Sequence, residues 1–272
     1  MNELKYSVLM SVYYKENPKY FRLSLMSILE QTVKPDEIII VKDGPLNSEL
    51  EKVLNDFAEY EIIKIIELET NKGLGEALNI GIKNCTNEII ARMDTDDIAK
   101  KDRCEKQLNV FKANKNLDIL SSFISEFSND INCVNSIKKV PITHEEIVKY
   151  ARRRNPFNHP AVMYKKSAVI NAGGYKHFEL FEDYYLWVRM IMNGAKCSNI
   201  NECLLYMRAN EDMFKRRGGY KYLKCIIKFK WHLKKIGFYS INDFIISSIS
   251  QGLVSIIPNK IRIIIYKKLL RN

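Results

Sequence analysis

The chain has no pair of cysteines in Cys-x-x-Cys spacing. Cys85, Cys104, Cys133, Cys197, Cys203 and Cys225 are scattered, which argues against a zinc site or a dithiol redox motif and for the reduced thiols of a cytoplasmic protein. No basic segment precedes the first apolar run, Tyr6 to Tyr13, so no signal peptide is expected. The longest weakly polar stretch, Phe244 to Ile257, is too short and too interrupted by Ser and Gln to span a bilayer. Internal repeats and low-complexity tracts are missing too. Acid is nearly missing from one region: Tyr220 to Asn272 holds eleven Lys/Arg and one acid, Asp243, and so carries almost all of the formal net charge of +11. A near-neutral body with a cationic tail implies an anionic partner.

At 272 residues the chain can bury a large core. Short apolar runs alternate with helical patterns over its first half. Strands are expected at Ser7–Tyr13, Glu37–Val41, Ile62–Leu68, Glu88–Met93 and Leu117–Ser125. Helices are expected at Tyr20–Gln31, Ser48–Tyr60 with a cap at Ser48, Gly75–Lys83 and Arg103–Ala113. This alternation predicts an α/β fold, a mostly parallel sheet flanked by helices. Further on come a helix at Glu145–Arg153, a break at Asn155-Pro156, a strand at Ala161–Tyr164 and a helix at Glu182–Asn193.

Acids cluster where the fourth strand ends, at Asp94-Thr95-Asp96-Asp97. In an extended chain Asp94 and Asp96 share a face and Asp97 turns away. Carboxylates at the carboxyl end of a sheet strand suit a hard divalent cation bound with a substrate's phosphates; they equally suit a solvated acidic turn. Asp43 follows the second strand, in a turn with Gly44 and Pro45, and fits either a base-binding carboxylate or a turn former. Asn71-Lys72-Gly73-Leu74-Gly75 opens a helix, as a phosphate loop or simply a tight loop would. Glu182-Asp183 opens another, where an acid can be a general base beside an apolar pocket or a capping acid. His159 fits a metal ligand, an acceptor-binding group or a structural histidine.

The tail interleaves Lys221, Lys224, Lys228, Lys234 and Lys235 with Ile226, Ile227, Phe229, Trp231 and Leu233. It then interleaves Lys260, Arg262, Lys267, Lys268 and Arg271 with Ile261, Ile263, Ile264, Ile265 and Leu269. Basic amphipathic helices of this kind lie on anionic membranes. They also serve as ordinary packing helices. No nucleic-acid module accompanies the charge, so nucleic acid is not an expected partner.

Taken in order, Ser7–Tyr13, Gln31-Thr32 with Pro35-Asp36-Glu37-Ile38, Asp43-Gly44, Asn71–Gly75, Asp94–Asp97, Gly173-Gly174-Tyr175 and Glu182-Asp183-Tyr184 resemble the blocks of a family 2 glycosyltransferase with a GT-A fold. The likeness is to enzymes that build bacterial capsule, O-antigen or exopolysaccharide. It implies inverting transfer of one sugar from a UDP-sugar to a hydroxyl of a lipid-linked acceptor. It further implies that Ser11, Tyr13, Glu16, Asp43, Lys72 and Gly75 line the nucleotide pocket and that Asp94 contacts the donor. Asp96 would then hold Mn²⁺ or Mg²⁺, and Asp183 would be the base. Glu182, His159 and Trp187 fall on the acceptor side. Lys42 and Pro45 depart from the family pattern around Asp43. The Gln-x-x-Arg-Trp element of processive synthases is missing, so one sugar is expected per encounter.

The expected organisation is a catalytic domain over residues 1–219, with a nucleotide-sugar half (1–130) and an acceptor half (131–219), followed by a basic helical tail over 220–272. Such a protein would be peripheral on the inner face of the cell membrane. Two other classes fit parts of the pattern. A nucleotidyltransferase would start with a Gly-rich loop and a basic signature, which Ser7–Pro18 lacks. A non-catalytic membrane adaptor would have no reason to keep Asp94, Asp96 and Asp183 together.

Overall fold

The computed structural model describes residues 4–209, 218–258, 261, 262 and 265. In chain order the described elements are β1 (Tyr6–Val12), α1 (Pro18–Leu29), β2 (Glu37–Lys42), α2 (Ser48–Asp56), β3 (Ile63–Glu67), α3 (Leu74–Asn84), β4 (Ile89–Arg92), β5 (Ile98–Ala99) and α4 (Arg103–Ala113). The second half adds β6 (Leu117–Phe127), β7 (Val134–Lys138), α5 (His144–Ala151), a 3-10 turn (His159–Ala161), β8 (Met163–Lys165), α6 (Lys166–Asn171), α7 (Glu182–Met192), β9 (Lys196–Arg208), α8 (Gly219–Lys235) and α9 (Ile241–Ile256).

The strands form one sheet in the order β3-β2-β1-β4-β8-β6-β9-β5, with β7 on β6. Its first four strands are parallel. Alternation along β1 explains why both faces are covered. Tyr6, Val8, Met10 and Val12 meet Phe21, Leu25 and Ile28 of α1 on one side, while Leu9 meets Ala77, Leu78 and Ile82 of α3 on the other. Beyond β4 the sheet is mixed: β8 runs antiparallel to β4 and β6, and β6 parallel to β9. The long β9 and the short β5, β6–β7 pairing and α6 were not anticipated. The expected cap at Ser48 is instead supplied by Asn47, whose side chain accepts from the Leu50 amide at 2.9 Å.

Two features of the sheet place a site. Strand order reverses between β1 and β4, and ligands of open α/β sheets bind outside the carboxyl ends of the strands at such a switch. Because β8 is antiparallel to β4, the segment entering β8 lies where β4 ends; the Arg92 amide donates to Val162 O at 2.9 Å.

The basic segment is no detached tail in its described part. Ile226, Phe229 and Leu233 of α8 share a core with Phe181, Tyr184 and Val188, and the Phe229 and Phe181 rings stack at 4.6 Å. Lys230 is buried, donating to Ser247 O on α9. Arg262, expected among the surface cations, is buried and donates to Ser255 O at 3.2 Å and Ile257 O at 2.6 Å, closing the C-terminal end of α9. Most of the second basic run (Lys260, Ile263, Ile264, Lys267, Lys268, Leu269 and Arg271) lies outside the described residues.

Candidate active site

β4 stops at Arg92, and the chain bends at Thr95 and Asp96. Strand alternation therefore does not govern the acids. Contrary to the expectation that Asp97 turns away, Asp94, Asp96 and Asp97 each offer an oxygen within 4.8 Å of the others. Three groups hold the bend. The Ser24 hydroxyl donates to Asp94 O at 2.7 Å. Arg92, fully buried, pairs with the Asp94 carboxylate. Arg208, at the end of β9, donates its amide to Asp97 Oδ1 at 2.8 Å and its Nε to Asp96 O at 3.2 Å, with its guanidinium 3.6 Å from the centre of the Tyr20 ring.

Crowded carboxylates raise one another's pKa. Asp96 is pushed up to about 6, by burial first and by Asp94 second. Asp97 goes well above the usual range, by burial and the charges of Asp96 and Asp94. Glu16, expected in the nucleotide pocket, feels the same cluster: burial and Asp96 push it up to about 7. Asp97 Oδ2 is buried without a hydrogen-bond partner among the described residues. Converging oxygens, mutual repulsion and an orphaned buried acceptor all fit a divalent cation, which would relieve each of them.

Asp43 is buried and accepts from the backbone amides of Lys72 at 2.6 Å and Gly73 at 3.0 Å. It thus anchors the loop that opens α3, and an ionised carboxylate keeps lone pairs for a further donor. The Lys72 side chain is exposed, and Ser11, near the end of β1, and Tyr13, just beyond it, are half-buried.

α3 carries Asn79, which clamps the backbone of Tyr175: Oδ1 accepts from its amide at 2.7 Å and Nδ2 donates to its carbonyl at 2.8 Å. Gly174 makes that clamp possible. Its φ is +65°, and a Cβ there would lie 2.5 Å from Asn79 Oδ1. Tyr175 Oη then meets His159 Nε2 at 2.8 Å. Burial, reinforced by Arg92, holds the imidazole's pKa well below its usual value, so His159 is neutral. It stands outside the three-acid cluster, contrary to its expected option as a metal ligand. Trp187, expected on the acceptor side, is fully buried and packs beneath His159, ring centres 5.9 Å apart. It supports the site and does not line it.

Asp183 opens α7. Its Oδ2 accepts from Asn155 Nδ2 at 2.6 Å and its Oδ1 from the Tyr184 amide at 2.7 Å. Both bonds favour the ionised form, yet burial outweighs them and the pKa is raised. Glu182 is raised as well, chiefly by burial.

A cleft of about 760 Å³ joins these parts, lined among others by Gly75, Asp94, Asp96, His159, Glu182 and Asp183. Ser11, Tyr13, Glu16, Asp43, Lys72 and Trp187 are not in its wall. Sequence reasoning missed Arg92, Asn155, Tyr175 and Arg208. Arg92 carried one signal, a charge inside an otherwise apolar central strand.

The sequence model of "Glycosyl transferase family 2" matches residues 7–175. The UDP-Gal:alpha-D-GlcNAc-diphosphoundecaprenol beta-1,3-galactosyltransferase of Escherichia coli is 42% identical over 267 residues, 98% of this chain and 97% of that protein. The amylovoran biosynthesis glycosyltransferase AmsE of Erwinia amylovora is 38% identical over 236 residues, 86% and 88% of the two chains. Among solved structures, a mannosyltransferase of Pyrobaculum calidifontis in complex with GDP-Man and Mn²⁺ superimposes with a TM-score of 0.66 at 16% identity, covering 96% of this chain and 72% of that one. That last likeness concerns the fold.

Proposed function

Since the chain belongs to glycosyltransferase family 2, we infer that its cleft transfers one hexose or N-acetylhexosamine from a UDP-sugar to a sugar hydroxyl of a polyprenyl-diphosphate-linked acceptor. The observation that carries this reading is the cleft itself, which gathers Asp94, Asp96 and the raised carboxyl of Asp183 in one volume. Asp94, Asp96 and Asp97 would hold Mn²⁺ or Mg²⁺, which when bound offsets the charge of the departing diphosphate. Arg92 pairs with the Asp94 carboxylate and holds its direction. Arg208 holds the backbone of the acid turn. Asp43 shapes the loop beside the nucleotide by tying down Lys72 and Gly73. Asp183, fixed by Asn155, accepts the proton of the acceptor hydroxyl as its oxygen attacks the anomeric carbon. Nucleotide release from a panel of UDP-sugars, with Mn²⁺ and with EDTA, tests the reading. Release from one sugar that stops in EDTA is expected; metal-independent release, or none with any UDP-sugar, would count against it.

The membrane is the second part of the proposal. No helix among the described residues is long and apolar enough to cross a bilayer. α9 is instead inside-out. Asp243, Ser247, Gly252 and Ser255 are buried, while Ile245 (45% exposed), Ile249 (57%), Leu253 (57%) and Ile256 (60%) form an outward stripe. An ordinary surface helix does the reverse. An apolar stripe in a basic segment is the pattern of an interfacial helix on anionic lipid. The triple substitution of Ile245, Ile249 and Leu253 by Ser should release the protein from anionic vesicles in flotation, and added salt should weaken the wild type's attachment. Equal flotation of both proteins would remove α9 from the membrane.

A further inference from the structure

The cleft that holds Asp94, Asp96 and Asp183 is also lined by Lys138, Lys139, Arg153 and Arg154, four cations with no part in the chemistry above. Lys138 ends β7, and the two arginines follow α5. Arg153 is tied to α9: it pairs with Asp243, and its carbonyl accepts from Gln251 Nε2 at 3.1 Å. The side chains of Lys139 and Arg154 make no hydrogen bond or ion pair with any described residue. Their surroundings are electropositive. Buried Lys230 is pushed down to about 7, by burial and then by Arg154 and Arg153. Cations on a convex helix face are ordinarily just solvated. Inside a concave wall they focus a field on whatever enters.

Their place relative to Asp183 narrows what that is. Arg154 immediately precedes Asn155, whose amide holds the Asp183 carboxylate at 2.6 Å, and Lys138 is close enough for its charge to act on Asp183. The cations and the Asp183 carboxylate therefore face one cleft, so an anion held by the cations shares that volume with a hydroxyl facing Asp183. A diphosphate diester carries one charge on each phosphoryl group, and guanidinium and ammonium donors together match such a pair.

Resting on the glycosyl-transfer reading, we propose that Lys138, Lys139, Arg153 and Arg154 form a subsite for the diphosphate of the acceptor, with the acceptor sugar bridging from it to Asp183. Recognition then lies in the diphosphate and the first sugar rather than in the lipid. The polar face of α9 closes the subsite through Ser250 and Gln251. Its apolar stripe lies on the outer face, where a lipid tail can pass into a bilayer.

The test compares two acceptors that differ only in the link, a sugar joined to an undecyl chain through a diphosphate and the same sugar joined through oxygen alone. Wild type should prefer the diphosphate acceptor. Arg154→Glu and Lys139→Glu should raise its KM by roughly 10–100-fold, the loss expected for charge-assisted hydrogen bonds, and should affect the neutral acceptor much less. UDP affinity by calorimetry should be unchanged, which also reports that the variants are folded; exposed Lys139 guards against misfolding of the Arg154 variant. An unchanged preference, or equal loss on both acceptors, would overturn the subsite. Loss of vesicle flotation with the diphosphate preference intact would reassign the cations to lipid headgroups and overturn it too. If wild type used neither acceptor, the transfer reading would fail. Undecyl diphosphate binding to the UDP-saturated protein would then judge the subsite alone, and equal binding by wild type and Arg154→Glu would reject it.

Discussion

Asp183→Asn should leave UDP-sugar binding intact and lower transfer by roughly 10²–10⁴-fold, the usual contribution of a positioned general base. Asn keeps the size of the side chain and an oxygen able to accept from the Tyr184 amide, but cannot take a proton. The pH profile separates this role from a structural one. The folded pKa of Asp183 is raised by burial, and the base acts only when ionised. The acid limb of kcat/KM should therefore lie above the ordinary carboxylate range, with activity rising as pH climbs through it. Asn155 donates to the ionised form, so Asn155→Ala should move that limb to still higher pH. A variant that lost donor binding, or an acid limb unmoved by Asn155→Ala, would argue that Asp183 only caps α7.

Asp96→Ala should have the second large effect. Losing a ligand that helps neutralise the leaving diphosphate costs several kcal/mol of transition-state stabilisation, about 10²–10⁴ in rate. Stability should move the other way. Asp96 is raised to about 6 by burial and Asp94, so its charge opposes folding at pH 7 when no cation is bound. Removing it should raise the melting temperature of the metal-free protein and abolish the increase that Mn²⁺ brings to wild type. Protons compete for the same oxygens, so Mn²⁺ affinity should fall as pH drops below about 6. An unaltered Mn²⁺-induced shift in the variant would place the metal elsewhere.

The sequence showed the parallel half of the sheet well, because β1, β2 and β4 are apolar runs buried on both faces and the helices beside them carry clean stripes. α4 spans Arg103–Ala113, as its pattern indicates. The acids, too, were visible as a group. Their geometry was not, since alternation applies only while the chain is extended and β4 ends at Arg92. Contacts distant along the chain were equally hidden. Nothing local says that Asn79 grips Tyr175, that Tyr175 reaches His159, or that Arg208 returns to the acid turn. Trp187 sits on an apolar helical stripe, and such a stripe can point to a cleft or to a core; tertiary packing chose the core. α9 reads as weakly polar in sequence, and only the fold reveals that its small and polar residues face inward. The departures around Asp43 also gain a partial account. Lys42 pairs with Glu51 and Glu67 at the end of β2, which ties that position to neighbouring elements.

The most direct measurement is the anomeric configuration of the product. The purified chain is incubated with Mn²⁺, the α-linked UDP-sugar it hydrolyses, and a glycosyl-diphosphate-undecyl acceptor, and the product is read by mass and proton NMR. One added sugar, in β linkage and absent in EDTA, is the expected result, as a single in-line displacement with Asp183 as base requires. An α-linked product, or none with any donor, would contradict the assignment of the cleft.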